Sequence, residues 1–175
     1  MEIRINPLSM SSIREAQAQL KQYKKDLPRK CEELARRLAM LGAETANVTF
    51  AGAVYDLDAK YHRPLEQADI TVSYEQDLDN NGHFTIHADG EAVAFVEFGA
   101  GVYFNGSGSQ RHRPQGIHEI GFYGQGKGKQ WSWGYYGKDG KAHITAGTPE
   151  QPGMWLASQE MRYKMAEIAR EVFAQ

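Results

Sequence analysis

Ten residues in the middle of the chain, Ala92 to Gly101, read Ala-Val-Ala-Phe-Val-Glu-Phe-Gly-Ala-Gly. No stretch near it is as apolar, its one carboxylate, Glu97, stands between Val96 and Phe98, and it stops on glycines. Such a run belongs in a core, and whatever surrounds it must either neutralise or hydrogen-bond Glu97. Its type is open on pattern alone. Val93 and Phe95 alternate as in a strand, whereas Ala92, Ala94 and Glu97 favour a helix that Asp89 can cap and Gly99 can end. A short helix is the reading adopted.

Upstream, residues 1–8 read as a flexible arm closed by Pro7, and Ser9 offers a side-chain cap to a helix over about 11–25. Its apolar stripe is Ile13, Ala16, Leu20 and Tyr23, with Arg14, Gln17, Lys21 and Lys24 on the other faces. Asp26 and Pro28 predict a fresh start, because proline is tolerated in a first turn, so a second helix is expected to about Thr45. Leu27, Cys31, Leu34, Leu38 and Leu41 form its apolar side, which makes Cys31 a packing residue rather than a nucleophile. A short strand over 48–54 and a loop follow. Ile70 to Glu75 and His83 to His87 alternate on either side of Asn80-Asn81-Gly82, the signature of a β-hairpin. Residues 102–130 hold seven of the 18 glycines and are expected to be a long mobile loop. Trp131, Trp133 and Tyr135 then alternate along a strand, Gly137 to Gly140 turns, and Lys141 to Thr145 returns. After the corner Gly147-Thr-Pro-Glu-Gln-Pro-Gly-Met154 comes a last helix to about Ala174, striped by Met154, Ala157, Met161, Met165, Ile168 and Val172. Helices at both ends and antiparallel strands between them predict an α+β fold: N-terminal amphipathic helices and a C-terminal helix packed on a central antiparallel sheet, with a long Gly-rich loop, in one domain over 1–175.

The totals narrow the function. Twenty basic against 22 acidic residues leave no overall field for a nucleic-acid backbone or an anionic membrane. A lone cysteine excludes an internal disulfide framework and a cysteine-rich zinc site. With no signal-like start and no run near the roughly 18 apolar residues of a membrane span, a soluble protein of cytoplasmic origin is expected. The sequons at Asn47 and Asn105 then carry no meaning.

Motifs for chemistry are weak. Gly121-Phe-Tyr-Gly-Gln-Gly126-Lys127-Gly128 has the glycines and lysine of a phosphate loop but not its Ser or Thr, nor the flanking strand and helix. His83 with His87, and His112 with His118, match no zinc spacing, although Asp89 and Glu119 lie close in sequence. Glu97 could act as a general acid or base, but a carboxylate beside glycines more commonly anchors backbone donors. No nucleophile sits at a glycine elbow. Trp131, Trp133 and Tyr135 suit a glycan or nucleobase platform, or equally a core or protein interface.

Val96-Glu-Phe-Gly-Ala-Gly101 resembles the Val-Glu-Phe-Gly-Thr-Gly hallmark of the small tail-component, or tail-completion, proteins of long-tailed bacteriophages and prophages. In that family a glycine-rich aromatic region follows, then a Gly-x-x-x-x-Pro-Phe-Met corner that opens a C-terminal helix. The counterpart here is Gly147 to Met154, with Ala100 in place of Thr and Gly153 in place of the aromatic residue. The resemblance implies a virion protein of the neck or tail end, made in the host cytoplasm, without catalysis, cofactor or metal. It implies a homo-oligomer on the virion, contacting portal or connector proteins and tail terminator or tail tube, with no membrane or specific nucleic-acid partner. Val96, Glu97, Phe98, Gly99, Gly101, Gly147, Pro152 and Met154 are its structural hallmark, and Tyr103, Phe104, Arg111, Arg113, Phe122 and Tyr123 mark an assembly loop. The alternatives are a glycan- or nucleic-acid-binding module, or a small hydrolase using Glu97 and a histidine.

Overall fold

The computed structural model describes residues 6–61, 64–77, 82–100, 132–137 and 139–174. The fold is α+β, built from a long N-terminal helix α1 (Met10–Phe50), β1 (Val54–Asp58), β2 (Pro64–Gln67), β3 (Thr71–Gln76), β4 (Phe84–Asp89), α2 (Val93–Phe98), β5 (Trp133–Tyr136), β6 (Ala142–Gly147) and α3 (Gly153–Ala174). Two antiparallel sheets replace the single central one expected: four strands in the order β2-β1-β6-β5, and the hairpin β3-β4. The expected loop over 102–130, residues 1–5 of the arm, Asn80, Asn81 and Trp131 lie outside the described residues.

One helix stands where the sequence suggested two. Ser9 caps it, its Oγ accepting from the Ser12 amide at 3.4 Å, and Asn6 to Leu8 fold back onto this start through the Asn6 side chain and Ser12 Oγ. Pro28 lies inside the helix rather than at a new beginning. It removes one donor, which the other bonds of a 41-residue helix and its packing outweigh. The helix also takes the first residues of the strand expected over 48–54, which instead forms later, as β1 from Val54: Val48 is 71% exposed, while Phe50 is buried at the helix end.

The second half of α1 carries Ala39, Gly42, Ala43 and Ala46, all buried, and this small-residue face is what α3 approaches. The two helices are antiparallel. Phe50 meets Gly153 at one end; at the other, Lys30 Nζ donates to the Phe173 carbonyl at 3.4 Å and Arg37 reaches Glu171 at 3.3 Å. Arg37 and Arg36 both grip Glu33, and these guanidinium hydrogen bonds hold the Glu33 carboxyl down to about 2. Because the contact runs through Lys30, Arg37 and Gly42, Cys31 sits off its edge and is exposed, not the buried packing residue the stripe suggested. Met165, 47% exposed, likewise falls off the stripe of α3.

The hairpin lies along the same half of α1, in unbroken register from Thr71↔Asp89 to Gln76↔Phe84, with Gly82 at φ +94° in its turn. Asn47 pins it: the side-chain amide donates to the Val72 carbonyl at 2.7 Å and accepts from the Val72 amide at 2.9 Å, as a neighbouring strand would. Phe50, Ala53, Ala68, Val72, Ala92, Val96 and Ala157 complete the core between helices and sheets.

Gly153 tests this packing. A Cβ there would lie 2.7 to 2.9 Å from the Phe50 ring, which is buried and has nowhere to go. Gly153→Ala is expected to destabilise the protein by about 1–3 kcal/mol, despite alanine's better helix propensity, and to lower the urea midpoint at unchanged slope.

Candidate functional site

The two stretches that the sequence singled out, fifty residues apart, meet. Val96 is fully buried, and its carbonyl accepts from the Gln151 amide at 2.7 Å. One residue on, Glu97 is 5% exposed and points at the first turn of α3. Its Oε2 accepts from the Met154 amide at 2.9 Å and its Oε1 from the Trp155 amide at 3.0 Å. Directly after Gly99, where φ is +69° and the chain turns out of α2, Ala100 forms a two-way bridge with Thr148 at 2.9 and 3.0 Å.

The geometry solves a specific problem at the helix start. The first amides of a helix have no partner within it, and a side chain at the cap position normally supplies one. Pro152 occupies that position and has no acceptor in its side chain. Here the amide of Gly153 donates to the Gln151 carbonyl, Leu156 to the Pro152 carbonyl, and Met154 and Trp155 to Glu97, so each donor of the first turn is satisfied. The carboxylate also sits at the positive end of the helix dipole. A buried charge is tolerated because it is hydrogen-bonded by oriented donors.

Phe98 is half-buried at the end of α2, Gly147 has φ +111° at the end of β6, and Met154 packs against the core. Three participants were not picked out from the sequence. Thr148 and Thr145 are fully buried, and Thr145 Oγ1 accepts from the Gly147 amide at 2.9 Å; Gln151 ties the corner to α2. The one sequence signal for them was their place beside Gly147 and Pro152. Gly101 and the loop residues Tyr103, Phe104, Arg111, Arg113, Phe122 and Tyr123 lie outside the described residues, as do the phosphate-loop-like glycines, His112 and His118.

Among the described residues no group of three or more His, Cys, Asp or Glu converges as a metal site, and no helix is long and apolar enough to cross a membrane. His87 is exposed on the hairpin, 3.0 Å from Glu75. His143 stacks near Tyr135 and meets Asp139 at 3.0 Å; that carboxyl is held below its ordinary range first by the Lys141 amide and then by His143. Glu97 has both oxygens on backbone amides, which is the chemistry of a structural anchor.

Glu97→Gln replaces one acceptor oxygen by a donor that faces an amide hydrogen. Its expected cost is about 1–3 kcal/mol of unfolding free energy, with a larger loss for Glu97→Ala, read from urea denaturation at neutral pH. A denaturation curve unchanged by Glu97→Ala would remove the clamp from this account. No family model, no curated protein and no solved structure matches the chain.

Proposed function

We propose that this chain is a structural protein of a long-tailed bacteriophage or prophage, acting at the neck or tail end to join or complete the tail. In this reading it works without catalysis, as a homo-oligomer among portal or connector, tail-terminator or tail-tube subunits. The observation that supports it is the clamp. The two short stretches that carry the resemblance are bound to each other through Glu97, Met154 and Trp155 and through the Ala100–Thr148 bridge. Motifs of this kind read most simply as one structural device.

The same contact disfavours a hydrolase built on Glu97, whose carboxylate is buried and bonded to two amides. A catalytic acid or base would need a proton path to substrate.

The decisive experiment is electron microscopy of particles assembled without this protein. Filled heads and separate tails are expected if it joins the two, and tails of abnormal length if it ends tail growth. Normal infectious virions would overturn the proposal.

A further inference from the structure

The first half of α1 runs on past the contacts that hold its second half to α3 and the hairpin. Among the described residues, helix α3 ends beside Lys30, and the hairpin's hydrogen bond nearest the start of α1 is that of Gln76 with Glu32 at 2.8 Å. Residues 10–29 therefore extend by about 30 Å beyond these contacts. Ala16 is buried and Ile13 and Tyr23 are half-buried, but from Gln17 to Gln22, more than a full turn, every residue is exposed. Leu20 stands 52% exposed in that stretch, and Leu8 and Met10 are exposed at its tip. A helical segment of this length in water is marginal by itself and gains its stability by packing.

Charge is segregated between this arm and the hairpin. Residues 10–30 contain Arg14, Lys21, Lys24, Lys25, Arg29 and Lys30 against Glu15 and Asp26, six positive and two negative, a net charge of +4. Among the described residues none of Arg14, Lys21, Lys24, Lys25 and Arg29 makes an ion pair. Residues 64–100 hold eight carboxylates and no lysine or arginine. The register sends Val72, Tyr74, Ile86 and Ala88 toward α1 and leaves Ser73, Glu75, His87 and Asp89 on the outer, exposed face. Asp69 and Glu91, both exposed, flank the end of that face. One molecule thus presents a basic stretch of helix and a sheet face bearing Glu75 and Asp89, flanked by further carboxylates, each a fit for the other.

We propose that the arm of one copy, residues 10–29 of α1, docks on the acidic outer face of the β3-β4 hairpin of a second copy. The contact is heterologous: every molecule offers both halves, so it propagates head to tail and closes into a ring if the rotation permits. The second copy is favoured over a nucleic acid because its acidic surface is part of the same chain, whose total charge of −2 attracts no polyanion. The proposal names the surfaces of the homo-oligomer suggested above and takes its biological setting from that reading. Its test needs only purified full-length protein, so the two can fail separately.

Self-association is measured by sedimentation velocity at about 50 mM sodium chloride, where charges act over more than 10 Å, and at about 500 mM, where they act over about 4 Å. Species larger than the monomer are expected at low salt and their loss at high salt. The triple variant Lys21→Glu, Lys24→Glu, Lys25→Glu is expected to weaken association at least about tenfold, and so is the pair Glu75→Lys, Asp89→Lys; both sets in one chain restore it. Carbodiimide cross-linking of mixed isotope-labelled and unlabelled wild-type protein should join arm lysines to Glu75 or Asp89 between copies, a readout that needs no variant to fold. A monomer at low salt overturns the proposal. So do association indifferent to either reversal, failure of the combined variant to restore it, or loss of the arm cross-links between copies when duplex DNA is added and bound in their place.

Discussion

The hydrogen bonds from Met154 and Trp155 to Glu97 are the constraint from which the rest of the architecture follows. α3 starts after a proline that offers no cap, so its first amides need an acceptor from elsewhere in the chain. The acceptor comes from α2, six residues long and too short to persist without tertiary support. Each helix therefore completes the other. With α3 held at its start, its buried Gly153 is set against Phe50, and the alanine and glycine face of α1 can be followed at close range down to Lys30.

Small residues decide the distances. Ala39, Gly42, Ala43 and Ala46 on α1 and Ala157 on α3 bring backbones close, which gains dispersion contacts and leaves little room for added volume. Added bulk at Gly42 would press on Ile86 and Met161 at once, so the hairpin and α3 share one close-packed joint. Asn47 adds direction to that joint by binding the backbone of Val72 on both sides.

Where local pattern and tertiary packing agreed, the sequence was legible: Ser9 as a cap, the β3-β4 hairpin around Gly82, the short α2 ended by Gly99, and the β5-β6 pair. Pro28 misled because its local penalty is one lost bond, set against a continuous helix anchored from Lys30 onward. Cys31 misled because an apolar stripe does not reveal which part of it will find a partner. Val48 to Phe50 look like the start of a strand, and burial of Phe50 on Gly153 keeps them helical. The division into two sheets had no local signal, since β1 pairs with β6 across almost ninety residues. At the clamp, the carboxylate's anchoring role was readable from its neighbours, but its partners on α3 were not, because sequence distance hides contact.

Pro28 falls within one turn of Lys30, where the contact with the end of α3 lies, and the missing bond makes that turn the easiest place for the helix to bend. The segment before it is then a stiff lever on a soft joint. A swing of about 10° there carries a tip about 27 Å away through about 5 Å while leaving the joint of α1 with α3 and the hairpin undisturbed. Neighbours at somewhat different spacings or tilts come within reach of the same arm, and the geometry of an assembly can vary without any change in the packing that holds each member together.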